Sequence, residues 1–274
     1  MEFHKVDLEK VKEIGNSWLK PLLFIGEKPE HRFEGYEGIR VKLLDDEISE
    51  GYYHIIDKMA RIQLATWIID EEHWNEVKPE EKLLAVEKAL KERAGTVLLE
   101  SITLTYSLDG VTRALTAEIN RHRAMGFGEQ SQRITDARKH TIRIPPDIKK
   151  SRFESEYCQI ANDIKNLYIR MIEKGVPIEQ ARNIMPIGLT THEVETGNLR
   201  GWLDIWFARI QEDAMDEHQI LTGLEISAFR HRFPMLYDIL LRTGRIPDPK
   251  KFRQLDYIIN NYGLDNNGMY YLPK

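Results

Sequence analysis

The sequence predicts a mixed α/β (α+β) fold, with a small central sheet and several long helices in a single domain. Strand-like segments are concentrated in the first half of the chain, whereas helical patterns dominate after Ser151. A chain of 274 residues, of which 42% are hydrophobic, has enough apolar material for one sizeable core.

The N-terminal region is irregular up to about residue 40, with Pro21, Pro29 and several glycines. It is predicted to be an extension, residues 1–45, that packs on the body of the protein. "GIRVKLL" (residues 38–44) alternates in the manner of a strand. Residues 49–69 carry a helical stripe of Tyr52, Ile55, Met59, Ile62 and Ile69.

A charged helix is expected from about residue 79 to 93, opened by Pro79 and buried through Leu83, Val86 and Leu90. "TVLLESITLTYSLDG" is β-branched and apolar, which predicts a strand over its whole length. After Gly110, a helix through Val111, Leu115 and Ile119 should deliver Arg121, His122 and Arg123 at its C-terminal end.

The second half is expected to be mostly helical, after a short strand, "HTIRIPP", that ends at its prolines. Pro177 opens a further helix between two that carry apolar stripes. The first stripe is Tyr157, Ile160, Ile164, Leu167, Met171 and Ile172, and the second is Leu199, Trp202, Ile205, Trp206 and Ile210.

Composition excludes several classes of protein. No apolar run is long enough to span a bilayer, and the charged N-terminus resembles no secretory signal, so a cytoplasmic location without membrane contact is expected. The single cysteine, Cys158, excludes an internal disulfide and a multi-cysteine zinc site, and its helical stripe suggests a buried structural thiol. A net charge of −5 argues against general nucleic-acid binding.

The segment "NRHRAMGFGEQSQR" concentrates positive charge in this acidic chain. Arginines pair bidentately with phosphate, and the two glycines would allow a ligand close to the backbone. The residues by themselves leave two interpretations open, a phosphate site or a solvated basic turn that pairs with nearby carboxylates.

The spacing of this segment resembles the signature of the flavin-dependent thymidylate synthases, the ThyX family. Arg121-His122-Arg123 is followed after seven residues by Ser131, and "EQSQR" is similar to the E-x-S-x-R of that family. Downstream, "ARNIMP" and "TGNLRGWLDIWFARIQEDA" resemble two further family motifs in the same order. The likeness covers roughly residues 50 to 235, within a ThyX-like catalytic domain placed at residues 46–274.

The resemblance implies a homotetramer that uses FAD and NADPH, with dUMP and methylenetetrahydrofolate as substrates. It implies cofactor binding by Arg121, His122, Arg123, Asn198 and Asp204, and substrate binding by Glu118, Glu129, Ser131, Arg133 and Arg209. Arg209 is also the implied catalytic residue, which would contact and polarise the pyrimidine.

This scheme is chemically reasonable without a cysteine nucleophile. Methylation at C5 of uracil builds negative charge on the ring, and an arginine aimed at that charge lowers the barrier. The lone Cys158 lies away from every motif.

The chain departs from the family pattern at several positions. Gly95 and Ser101 stand where the family has histidines, Gly126 where it has serine, and Glu118 where it has glutamine. Asp204, Asp213 and Met215 are further departures on the late helix. A carboxylate only accepts hydrogen bonds, so Glu118 and Asp204 would suit the amino group of a cytosine nucleotide. Alternatively, they pair with neighbouring cations.

Two other functions stay open at this point. One is a non-catalytic homologue that binds a nucleotide, and the weaker one is a nucleic-acid-binding protein that uses both Arg-His-Arg clusters, the second in "FRHRFP". "THEVETGN" is interpreted as a loop or helix start capped by Thr191, with no metal site. Trp202 and Trp206 are assigned to core or subunit packing, in preference to flavin stacking.

Overall fold

The computed structural model describes residues 36–44, 59–61, 71–92 and 95–273. Within this part of the chain, six strands form one antiparallel sheet in the order β3-β4-β2-β1-β6-β5. The strands are β1 (Arg40–Leu43), β2 (Thr103–Thr112), β3 (Gly126–Glu129), β4 (Thr190–Asn198), β5 (Gly263–Leu264) and β6 (Tyr270–Tyr271).

The two long antiparallel strands β2 and β4 form the centre of the sheet, with Thr103 opposite Asn198 and Thr112 opposite Thr190. The register shifts at Gly110, whose φ is +72°. An added Cβ there would lie 2.1 Å from the carbonyl oxygen of Gly38, so both the bulge and the close approach of β1 require glycine.

Eleven helices are described around this sheet. They are α1 (Glu71–Glu76), α2 (Pro79–Lys91), α3 (Thr96–Glu100), α4 (Arg113–Ile119), α5 (Pro146–Lys149), α6 (Glu154–Glu173), α7 (Ile178–Ala181), α8 (Leu199–Arg209), α9 (Asp216–Arg232), α10 (Pro234–Arg242) and α11 (Arg253–Asn261). Two short 3₁₀ helices, Ala137–Lys139 and Arg182–Ile184, are also present.

The main core lies between one face of the sheet and helices α8 and α9. Tyr106 on β2 meets Trp202 on α8 edge to face, with ring centroids 4.7 Å apart. The Trp202 indole also donates to the carbonyl of Leu104 (3.2 Å). A smaller apolar cluster beside α6 contains Ala137, Tyr168, Ala181 and Leu189.

The predicted fold class is confirmed, as are several elements. β1 forms within residues 38–44, and α2 begins at Pro79 and buries Val86 and Leu90. In α8, Trp202, Trp206 and their stripe are buried, which places them in the core. The prediction for residues 49–69 lies outside the described residues except for 59–61, which are helical. Most of the predicted extension also lies outside them, so the boundary at residue 45 stays a prediction.

The predicted strand "TVLLESITLTYSLDG" is wrong in its first part, because residues 96–100 form helix α3. β4 ends at Asn198 opposite Thr103, so residues 96–100 lie beyond the end of the strand that pairs with β2. The Ser101 hydroxyl donates to the carbonyl of Leu98 (2.7 Å) and closes the last helical turn.

Two other local predictions are also wrong. "HTIRIPP" makes only one isolated bridge, Ile142 to Leu189, because the prolines that follow lack N–H donors and Pro146 starts α5. "THEVETGN" is strand β4 and not a loop or helix start, because it pairs with β2 along its whole length.

Helix α6 forms where its stripe predicts it, but the stripe is only partly covered. Tyr168 is its one fully buried residue, while Ile160 and Leu167 are 51% and 41% exposed. Cys158 is half-buried, so its assignment as a buried thiol is wrong. None of the described helices has the length and apolar composition that a bilayer span needs.

Candidate functional site

Helix α4 positions the Arg-His-Arg motif. The Thr112 side chain caps its first turn by accepting from the backbone N–H of Leu115 (3.2 Å). The helix ends at Ile119, and a turn follows in which the backbone N–H of His122 donates to the carbonyl of Ile119 (2.9 Å). The motif therefore lies just beyond the helix, as the sequence predicts. The predicted start of the helix is wrong, because Val111 belongs to β2, where it pairs with Thr191, and the helix begins at Arg113.

Helix α8 carries Arg209 to the same place. Arg209 is the last residue of the helix, and its Nε donates to Nε2 of His122 at 3.0 Å, across 87 positions of sequence. Because Nε2 accepts this bond, the ring proton of His122 belongs on Nδ1. Burial and the charges of Arg209 and Arg121 lower the pKa of His122, which keeps the ring neutral.

Two further side chains complete this group, which we call the Arg209 cluster: Glu118, His122, Arg209 and His218. Oε2 of Glu118 lies 3.6 Å from Nη1 of Arg209 and 3.8 Å from Nδ1 of His218. Burial, then the charge of Arg209, lowers the pKa of His218 to about 3. The cluster thus contains one cation, one carboxylate and two neutral imidazoles. His218 was not predicted, since nothing in its local sequence sets it apart from a core residue.

The other predicted cofactor residues are more dispersed. Arg121 and Arg123 are exposed, and neither has an ion pair with the part of the chain that the structure describes. Asp204 is exposed on α8. Asn198 caps α8 by accepting from the N–H of Gly201 (2.9 Å), so its side-chain oxygen already has a structural partner.

The glycines expected to cradle a phosphate lie instead in strand β3. Gly126 and Gly128 do not have positive φ, and Gly126 faces Thr196 across the strand pair, where an added Cβ would lie 3.1 Å from the Thr196 methyl group. Gly126 therefore allows β3 and β4 to pack closely. The turn of the chain follows after the end of β3.

That turn, residues 130–135, is called here the Ser131 turn. The carbonyl of Ser131 accepts from the N–H groups of Ile134 (3.2 Å) and Thr135 (2.9 Å). The Ser131 hydroxyl accepts from the N–H of Arg133 (3.3 Å). The Arg133 guanidinium is 66% exposed and lies 3.1 Å from Glu179, so the two predicted phosphate ligands are adjacent at the surface.

Arg113 holds the base of the Ser131 turn. Its guanidinium pairs with Glu129 (3.0 Å) and donates to the carbonyl of Gln130 (2.6 Å). The other oxygen of Glu129 accepts from Thr116 (2.7 Å). Glu129, a predicted substrate residue, is therefore tied to α4.

The sequence did not predict the buried carboxyl groups beneath the sheet. Glu193 and Glu195 on β4 and Glu225 on α9 are 0–2% exposed. Burial and the charge of Glu129 raise the pKa of Glu193 to about 8. Burial also raises the pKa of Glu225 to about 8, although the Trp206 indole donates a hydrogen bond to it (2.9 Å). The pKa of Glu195 is raised by burial and by the charges of Glu225 and Glu193.

The remaining constellations have mainly structural contacts. His192, expected in a loop, lies on β4 with Nε2 3.3 Å from the Ser107 hydroxyl. In the described residues there is no group of three acidic, histidine or cysteine side chains arranged to hold a metal ion. In "FRHRFP", Nδ1 of His231 lies 2.9 Å from the Tyr270 hydroxyl, which ties this cluster to β6.

Comparison with known proteins agrees with the motif analysis. A family model described as thymidylate synthase complementing protein matches residues 46–235, close to the predicted range of 50 to 235. The flavin-dependent thymidylate synthase of Pyrococcus furiosus is 32% identical over 168 residues, which cover 57% of this chain and 69% of that protein. The enzyme of the same name from Pyrococcus abyssi is 30% identical over 169 residues, again 57% and 69% of the two chains. That from Sulfolobus acidocaldarius is 27% identical over 142 residues, 51% and 54% of the two.

Proposed function

Since the chain belongs to the family of thymidylate synthase complementing proteins, we propose that it is a flavin-dependent thymidylate synthase. The reaction would transfer a one-carbon unit from methylenetetrahydrofolate to C5 of dUMP, with reduction by NADPH. The observation that carries this proposal is the hydrogen bond between Arg209 and His122, because it joins two motifs that are 87 residues apart.

Arg209 is proposed to stabilise the charge that develops on the pyrimidine. Its Nε is engaged by a neutral imidazole, which fixes the guanidinium plane without neutralising it. The guanidinium is 24% exposed, so a ligand can reach its outer N–H groups. A donor held in this way stabilises an oxyanion as it forms, and such groups contribute about 10²–10³ in rate.

The residues around Arg209 fit an anionic cofactor such as FAD. Arg121 and Arg123 present exposed cations next to the cluster, and forked guanidinium groups suit a pyrophosphate. FAD, when bound, supplies the electrons that reduce the transferred one-carbon unit. Arg121, His122 and Arg123 are proposed to hold it, with Asn198 and Asp204 at its edge.

The Ser131 turn is proposed to hold the nucleotide phosphate. Ser131 and Arg133 lie together at the surface, and exchange of Glu179 for a phosphate would give Arg133 a dianionic partner. Glu129 is held by Arg113 and Thr116 below this turn, in a position to orient the sugar or base.

The proposed homotetramer has support in the surface of α6. Ile160 and Leu167, two helical turns apart, are 51% and 41% exposed, and Phe153 at the helix start is 51% exposed. Apolar side chains in such a row are typical of a subunit contact. Light scattering measures the mass directly, and a monomer at micromolar concentration would contradict this proposal.

The test of the proposed function begins with the visible absorption spectrum of the purified protein before and after addition of FAD. A flavin spectrum that bleaches with NADPH is expected, followed by formation of thymidylate from dUMP and methylenetetrahydrofolate. Arg209→Gln should lower the turnover rate by about 100-fold or more, because the charge stabiliser is lost.

Arg242→Gln is the matched control for that variant. Arg242 is also paired with a glutamate, Glu87 (3.0 Å), but it lies on α10, beyond the family match. It should keep full activity. Absence of flavin binding in the wild-type protein would contradict the redox enzyme and favour a nucleotide-binding homologue without catalysis.

A further inference from the structure

Glu193 is the least expected residue in the sheet. It lies in the middle of β4, opposite Leu108 on β2 and opposite Glu129 on β3. The side chain is 0% exposed, and neither carboxyl oxygen has a hydrogen-bond partner within the described ranges. Burial of a charged carboxylate without a partner is unfavourable in free energy, so the protonated, neutral form of the group is favoured.

The charged groups that act on Glu193 come from three elements. Glu129 on β3 adds negative charge and Arg113 on α4 opposes it, while Glu195, two residues along β4, is a second buried acid. Arg113 already pairs with Glu129. One guanidinium compensates one carboxylate, so a charge on Glu193 would be uncompensated.

The same guanidinium connects this acid pair to the Ser131 turn. While one of its nitrogens pairs with Glu129 at 3.0 Å, another donates to the carbonyl of Gln130 at 2.6 Å. Gln130 directly precedes Ser131, and its own N–H donates to the carbonyl of His192, next to Glu193. Arg113 therefore connects Glu129 to Gln130, the first residue of the turn.

We propose that Glu193 is a positioning residue for the nucleotide phosphate, which acts through Glu129 and Arg113 and must be uncharged for the Ser131 turn to bind its ligand. This inference rests on the proposed function, since it concerns the same nucleotide site. When Glu193 loses its proton, its charge competes with Glu129 and Gln130 for Arg113 and adds negative potential below an anion site.

The consequence is a binding affinity that depends on pH. Burial, together with the charge of Glu129, raises the pKa of Glu193 to about 8, so the change falls in an accessible range. A bound phosphate raises this pKa further, because it disfavours a second anion nearby. By linkage, affinity falls as the pH rises through that range.

The experiment is a titration with dUMP between about pH 7 and pH 9, for the wild type and for Glu193→Gln, where a shift of one pKa unit on binding corresponds to about tenfold in affinity. With a pKa that shifts from about 8 to about 9 on binding, we expect wild-type affinity to fall by about fivefold over this range, and that of the variant to change by less than about twofold. Comparison of the two proteins with the same nucleotide cancels any ionisation of the base.

Glu195→Gln is the matched control. It removes a buried acid from the same strand, but one that interacts with Glu225 and Glu193 and not with Glu129. It should retain the fall in affinity. A loss of the pH dependence in both variants, or in neither, would overturn the proposal.

A second probe covers the case in which Glu193→Gln fails to fold. 2-Deoxyribose 5-phosphate has no base, and its phosphate is fully ionised above about pH 7.5, since its second pKa is about 6. The affinity of the wild type for this probe should also fall towards about pH 9, and a constant affinity would contradict the role of Glu193. If neither dUMP nor the sugar phosphate binds at any pH, the proposed nucleotide site itself is wrong, which is a different result.

Discussion

At the scale of single residues, the charges of the side chains around Arg209 set the electrostatic environment of a bound ligand. Glu118 lies 3.6 Å from the Arg209 guanidinium, while both neighbouring imidazoles are neutral. This contact supports the interpretation of Glu118 as an ion-pair partner. It also places an acceptor beside a donor, so a base that contacts Arg209 would contact Glu118 as well.

The effect of Glu118 can be measured by the change Glu118→Gln. Removal of the carboxylate frees the Arg209 charge for the ligand, and we expect affinity for dUMP to rise by about two- to tenfold, a modest change because Glu118 is 40% exposed. The measurement is titration calorimetry with dUMP and dCMP. The control is Glu87→Gln, which removes a glutamate on α2 that pairs with Arg242 on α10. It should change neither affinity.

The same titrations test the alternative that the enzyme acts on a cytosine nucleotide. If Glu118 accepts from the amino group of cytosine, the wild type should favour dCMP and Glu118→Gln should lose that preference. A clear preference of the wild type for dUMP would contradict this alternative.

At the scale of elements, helix α8 shows how a predicted cofactor residue can also be structural. Asn198 ends β4 and caps α8 through its bond to the Gly201 N–H. The cap sets the direction of the helix that brings Arg209 to His122. A structural and a cofactor role for Asn198 therefore have to be separated by experiment.

Two substitutions make that separation. Asn198→Ala should lower the free energy of unfolding by about 1 kcal/mol, whereas Asn198→Asp keeps an acceptor at the cap and should lower it little. Urea unfolding measures both. An equal loss of stability in both variants would show that the side-chain cap does not stabilise the helix. Full flavin binding by the alanine variant would contradict a cofactor role for Asn198.

Strand β4 shows where local pattern failed. In "THEVET", the local pattern predicts that Val194 faces the core and that the flanking glutamates face solvent. Instead, Glu193 and Glu195 are buried and Val194 is only half-buried. The register with β2 is responsible, because it places these two glutamates opposite Leu108 and Tyr106 on the core face. Long-range pairing over nine residues outweighs the local hydrophobic pattern.

At the scale of the whole molecule, the buried glutamates predict an unusual pH profile of stability. The pKa of Glu193 and of Glu225 is raised from 4.5 to about 8, so the native state holds protons that the unfolded chain releases. Their stabilising contribution is complete below about pH 4.5 and is lost as the pH rises through about 8. His218 acts in the opposite sense, because its lowered pKa costs stability as the pH falls from 6.5 towards 3.

Above about pH 6.5 the histidine no longer titrates, and the free energy of unfolding should decrease through the two glutamates. The expected decrease up to about pH 8.5 is about 2 kcal/mol for each of them. Urea unfolding at a series of pH values measures this. The double change Glu193→Gln and Glu225→Gln should flatten the decrease, and a wild-type stability that rises over this interval would contradict the assignment.

Much of the fold and site could be predicted from local pattern. Pro79 and the stripe of α8 predicted helices that form, and the spacing of Arg121, Ser131 and Arg209 predicted the family. Residues 96–100 could not be assigned locally, because the same apolar segment is a strand or a helix according to where its partner strand ends.

The sequence by itself determined the family and the α/β class, because these depend on composition and on spacing along the chain. Only the tertiary structure decided that His122 positions Arg209, that Asn198 caps a helix and that Glu193 lies against Glu129. Those contacts join residues from 3 to 87 positions apart through helix ends and strand register, and the protonation of His122, Glu193 and His218 follows from burial. Burial and register are properties of the packed chain, which no local segment contains.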